Sequence, residues 1–79
     1  MRVVREFIKD EIRVSIFSWN NKYLIKFEHG PLEQTFKVSE MDVLNEMELD
    51  TFCEGDFFKS VQLRFKEMGE TLRKQMENL

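Results

Sequence analysis

One histidine, one cysteine and a run of carboxylates are the residues in this chain that bear on catalysis or metal binding. His29 adjoins Gly30-Pro31, with no nucleophile at motif spacing and no glycine-rich phosphate loop. A turn histidine of this kind is read as structural or exposed. Cys53 is the only cysteine, so no intrachain disulfide forms. One Cys and one His fall short of the roughly four ligands of a structural zinc site. Cys53 is therefore read as a small buried apolar residue, and a lone cysteine points to a reducing compartment. Seven carboxylates lie between Glu40 and Asp56, with no base among them. Calcium loops need ligands at alternate positions around a central glycine, and this run lacks that layout. It is read as solvated helix faces and caps, suited at most to a basic protein partner. The expectation is no enzyme, no cofactor and no metal.

Binding chemistry is better represented. Arg13, Ser15, Phe17, Trp19, Lys22, Leu24, Lys26, Thr35 and Lys37 fall on one face if their segments are strands. Four bases and two aromatics there are offset by Glu28 and Glu33. Aromatics among bases on a strand surface are the means of holding single-stranded nucleic acid, by stacking and phosphate contacts. An exposed apolar cluster such as Phe17, Trp19 and Leu24 more often marks a protein contact.

The elements that position these residues are legible. Ile12, Val14 and Ile16 alternate with Arg13, Ser15 and Phe17, as in a half-buried strand. Asn20-Asn21 tolerates positive φ and suits a two-residue type I′ turn. Tyr23, Ile25 and Phe27 then alternate with Leu24, Lys26 and Glu28. Counting outward from the turn pairs Trp19 with Lys22, Phe17 with Leu24, Ile16 with Ile25, Val14 with Phe27 and Arg13 with Glu28. Each pair is chemically sensible, and a slip of one residue would mix the two faces. Gly30-Pro31 makes the next reversal. The third strand sets Phe36 against Ile25 and Val38 against Tyr23. The expected core face is Ile12, Val14, Ile16, Tyr23, Ile25, Phe27, Phe36 and Val38.

Ser39 with Asp42 fits the cap of a short helical turn holding Met41 and Leu44. Thr51 with Glu54 matches a capping box. A helix of about 23 residues follows, ending near Glu77, with its apolar stripe on Phe58, Val61, Phe65, Met68, Leu72, Met76 and Leu79. At 1.5 Å per residue it spans roughly 35 Å. A strand of about seven residues spans roughly 23 Å. The helix should therefore overhang the sheet and carry Leu72, Met76 and Leu79 beyond it. Val3, Val4, Phe7 and Ile8 leave three readings open for the N-terminal segment: a short helix, a fourth strand, or an arm swapped between subunits.

The run Phe17-Ser-Trp-Asn-Asn-Lys-Tyr-Leu-Ile-Lys-Phe-Glu28, with Gly30-Pro-Leu-Glu-Gln-Thr-Phe-Lys-Val38, resembles a family of small bacterial proteins to which no activity is assigned. The resemblance covers the meander, under a third of the chain in identifiable residues, and implies no functional residue. Strands followed by one long helix also resemble half of a PUR-type or whirly-type nucleic-acid module, without either family's motifs. That likeness is of architecture only.

Composition sets the remaining bounds. Seventy-nine residues make one α+β domain, residues 1–79. Its expected fold is a three- or four-stranded antiparallel β-meander packed on one long C-terminal helix. A domain this small buries only roughly 60% of its unfolded surface. Without disulfide or metal, oligomerisation is the remaining reinforcement. The net charge of −3 is uneven: bases lead in Met1–Val38 and acids in Ser39–Leu79. The first ten residues lack the apolar core of a signal peptide, and no segment is long and apolar enough to span a membrane. The expected location is cytoplasmic. The expected function is a non-catalytic protein-interaction module, homodimeric or bound to another protein. It would use Phe17, Trp19 and Leu24, or the Leu72, Met76 and Leu79 overhang. The alternative is a single-strand nucleic-acid binder using Arg13, Lys22, Lys26, Lys37, Phe17 and Trp19.

Overall fold

Three two-residue turns, spaced ten residues apart, set the architecture. In the computed structural model, which describes residues 1–79, they are Asp10-Glu11, Asn20-Asn21 and Gly30-Pro31. They separate β1 (Arg2–Lys9), β2 (Ile12–Trp19), β3 (Lys22–His29) and β4 (Leu32–Ser39). The sheet order is β1-β2-β3-β4, with every neighbour antiparallel. Both asparagines have positive φ, 53° and 62°, as a type I′ turn requires. Gly30 has φ 58°, and the fixed negative φ of Pro31 follows it.

The N-terminal segment is the fourth strand. Its turn escapes recognition because Asp10 and Glu11 take φ 48° and 68° without the usual Asn or Gly. Left-handed backbone costs roughly 1–2 kcal/mol per residue outside Gly, Asn and Asp, so packing of β1 must offset the strain at Glu11. A bulge between Val3 and Arg5 shifts the register of β1 on β2. Val4 packs against the core, and Arg5 Nε lies 2.8 Å from Asp50 Oδ1.

The β2–β3 and β3–β4 registers agree with the pairs counted from the sequence. Ile12, Val14, Ile16, Tyr23, Ile25 and Phe27 are buried. Phe36 and Val38 share that face but are only half-buried, because β4 is an edge strand.

A 3-10 turn, Glu40–Asp42, follows, with Ser39 Oγ accepting from the Met41 N–H at 3.3 Å. Leu44 lies outside this turn and is exposed, unlike the reading above. A second 3-10 helix, Glu46–Cys53, is capped by Asn45 Oδ1 on the Met47 N–H at 2.9 Å. It buries Leu49 and Cys53. The expected Thr51–Glu54 capping box is absent. Thr51 lies inside the 3-10 helix, its Oγ1 donating to the Glu48 carbonyl at 2.7 Å. Gly55, at φ 62°, redirects the chain into helix α1 (Gly55–Glu77). Glu54 is its N-cap and makes no side-chain cap bond.

Phe58, Val61 and Phe65 of α1 join the buried core. Phe27 is at its centre, with ring centroids 6.1–6.3 Å from Phe36, Phe57 and Phe58. Gln34 Nε2 donates to the Val61 carbonyl at 2.9 Å, fastening β4 to the helix. Burial then fades along the stripe: Met68 is half-buried, and Leu72, Met76 and Leu79 are 38%, 58% and 87% exposed. The overhang is real, and it draws the molecule out to 46 × 25 × 20 Å.

Candidate functional site

Strand alternation divides the proposed contact residues into two sets. Arg13, Phe17 and Trp19 of β2, Lys22, Leu24 and Lys26 of β3, and Lys37 of β4 share the face opposite the core. Leu72, Met76 and Leu79 lie on α1, which packs on the core face. The two sets do not meet.

On the outer face, Val3 pairs with Phe17, Phe17 with Leu24, and Leu24 with Lys37. These four side chains form a row across all four strands. Trp19, 48% exposed, stands one pair further along, opposite Lys22. Met1, Phe17, Leu24 and Thr35 help to line a shallow hollow of about 270 Å³ beside the row. β1 adds Val3, Glu6 and Ile8 to this face, three residues that the sequence left unplaced. Val and Ile there favour strands, but the doublets Val3-Val4 and Phe7-Ile8 have helical spacing and no period-2 alternation.

The charges of this face are largely matched. Arg13 is ion-paired with Glu6 and stands opposite Glu28. Lys26 Nζ lies 2.9 Å from Glu33 Oε1, and this hydrogen bond, with the nearby Glu28, holds the ammonium pKa above its usual value. Lys22 and Lys37 have no ion-pair partner within the chain. With Glu6 included, four bases meet three acids, a net of +1.

The acidic run is used differently from the solvated caps expected. Glu46 pairs with Arg2, and Asp50 with Arg5. Hydrogen bonding to Arg2 pulls the Glu46 carboxyl below its ordinary range. Tyr23 Oη also donates toward Glu46, at 3.5 Å, and burial raises the phenol's pKa. Lys9 Nζ donates to the Cys53 carbonyl at 2.7 Å and stands 4.7 Å from the Phe58 ring centroid. Carboxylates and carbonyls of the 3-10 helix thus clamp the inward-pointing cations of β1. Cys53 is buried, and burial, then Asp50, pushes its thiol above the ordinary value.

Below the sheet, Pro31, Leu32, Arg64, Met68 and Leu72 line an open groove of about 750 Å³ at the start of the overhang. His29 is exposed, with its ring 5.8 Å from that of Phe65. No three His, Cys, Asp or Glu side chains gather as a metal site. No helix is long and apolar enough to cross a membrane. No protein-family model, curated protein or solved structure matches the chain.

Proposed function

We propose that this chain is a small non-catalytic protein-interaction module that works as a homodimer. The observation that carries the reading is the apolar row Val3–Phe17–Leu24, flanked by Trp19, on a face that no helix of the chain covers. Val3 and Trp19 are exposed and Phe17 and Leu24 half-buried, and apolar surface left open in this way marks protein contacts. The unpaired ammonium groups of Lys22 and Lys37 border the row, so a fitting protein surface presents apolar side chains beside carboxylates. A core of eleven buried hydrophobic residues is small, and further burial in a dimer would reinforce it. The buried free thiol of Cys53 fits a reducing compartment and supports a cytoplasmic location.

Sedimentation at micromolar concentration tests the reading. The expected mass is twice the 9.6 kDa of the chain. A clean monomer across the concentration range would overturn the dimer.

Single-strand nucleic-acid binding has one favourable feature, the direct pairing of Trp19 with Lys22. The Arg13–Glu6 and Lys26–Glu33 pairs weigh against it, because both cations are already neutralised. Oligonucleotide titration at low salt, where phosphate contacts are strongest, separates the two readings. Quenching of Trp19 emission would favour nucleic acid, and none is expected.

A further inference from the structure

The sheet has two edges, and they differ. The β1 edge carries a bulge, and its inward cations Arg2, Arg5 and Lys9 are held by the 3-10 helix. Bulges and inward charges are devices that stop an edge from pairing with another chain. The β4 edge has neither. It is eight residues long, pairs with β3 without interruption, and holds no proline.

The direction of its free hydrogen-bonding groups follows from one bond. The Glu40 N–H donates to the Asn21 carbonyl at 3.0 Å and continues the β3–β4 ladder. Alternate residues of an antiparallel strand point their N–H and C=O to opposite sides. The even-numbered residues of β4 therefore bond β3, and Glu33, Thr35 and Lys37 point theirs outward. No backbone bond outside the ladders reaches these three residues.

Their side chains are self-complementary. We infer that β4 pairs antiparallel with β4 of a second copy about a two-fold axis at Thr35, giving a continuous eight-stranded sheet. This rests on the homodimer reading but places the contact at the β4 edge, so the Val3–Phe17–Leu24 row stays open on the outer face of both copies. In that register Thr35 meets the partner's Thr35, Glu33 meets the partner's Lys37, and Lys37 meets the partner's Glu33. Thr–Thr and opposite-charge pairs are both stabilising cross-strand neighbours. The outward N–H and C=O groups of all three residues are then satisfied in both chains. On the core face, half-buried Leu32 stands opposite the partner's Val38. A shift of two residues either way sets Thr35 against a charged residue and loses both ion pairs. The groove lined by Pro31, Leu32 and Leu72 adjoins the start of β4, where the partner's Ser39 would stand opposite Pro31. Pairing therefore brings the partner's β4 terminus toward the groove.

Sedimentation of edge variants tests the inference. Thr35→Pro removes an outward N–H, so the monomer's own ladder loses no bond. It is expected to keep the wild-type circular dichroism and to raise the dimer dissociation constant at least about tenfold. Glu33→Lys and Lys37→Glu should each weaken the dimer by about three- to tenfold, and the double exchange should restore it. Thr35→Cys covers the case in which the proline variant fails to fold. Hydrogen-bonded antiparallel partners have Cα atoms about 5.5 Å apart, within the roughly 4.4–6.8 Å that a disulfide bridges. Oxidised Thr35→Cys should run as a covalent dimer. Ser39→Cys, which faces the partner's Pro31, should not, and neither should wild type with its buried Cys53. A wild-type dimer that Thr35→Pro leaves intact, or a Thr35→Cys that stays monomeric on oxidation, overturns the edge pairing alone. A monomeric wild type overturns the homodimer reading with it.

Discussion

Lys9 reaches across 44 positions of sequence to donate a hydrogen bond to the Cys53 carbonyl at 2.7 Å. This contact joins the first strand to the last turn of the 3-10 helix. Its placement over the Phe58 ring adds a cation–π contribution. Lys9→Met keeps the apolar stem and removes the charge. The expected loss is about 1–2 kcal/mol, the scale of a hydrogen bond from a charged donor in a partly exposed site. A urea midpoint measures the loss. Amide exchange should quicken in β1 before it does in β2 or β3, and equal exchange across the three strands would count against the clamp.

Phe27 and Trp19 occupy opposite faces of one hairpin, and their substitutions should separate folding from contact. Phe27 is fully buried among three aromatic rings. Phe27→Ala should cost about 3–5 kcal/mol. A domain of this length has roughly 4–12 kcal/mol in total, so most of the folded population is at risk. Trp19→Ala should cost under about 1 kcal/mol, because it removes a half-exposed side chain and one cross-strand pair. Thermal denaturation of the two variants makes the comparison. A large loss for Trp19→Ala would mean that the outer face is needed for the fold itself.

The Arg2–Glu46 pair gives acid sensitivity with a defined sign. Its hydrogen bond from Arg2 lowers the folded-state pKa of Glu46 from its ordinary 4.5. The folded chain therefore takes up this proton less readily than the unfolded chain does. The stabilisation is complete above 4.5 and is lost as pH falls through the lowered folded value. Glu46→Gln should flatten the acid limb of stability against pH. Denaturant midpoints from neutral to acid pH measure this, and an unchanged acid limb would show the pair to be inert.

Cys53 should be slow to react. Burial raises its thiol pKa, and the thiolate is the reactive form. Native protein should react with a disulfide-exchange reagent at least about tenfold more slowly than urea-unfolded protein, since access and ionisation both oppose the reaction. Equal rates would mean that the 3-10 helix opens freely.

Much of this fold was legible because its signals are local. Alternation through Ile12–Phe27, a two-residue turn at Asn20-Asn21 and integer counting were enough to pair Phe17 with Leu24 and Val14 with Phe27. The helix bounds and the overhang came from residue spacing and a rise per residue. Such features depend on neighbours in sequence or on one face of one element. What the sequence left open depends on partners far along the chain. The turn at Asp10-Glu11 has no turn-forming pair, and β1 is held by residues about 44 positions away: Glu46, Asp50 and the Cys53 carbonyl. Leu49 carried no periodic signal, yet it is fully buried in the hydrophobic core. Only tertiary structure decided that the acidic run clamps β1, that Glu6 neutralises Arg13, and that β4 is the unguarded edge. Charge pairing and edge exposure are set by which strands become neighbours, and that is a property of the packed chain rather than of any one segment.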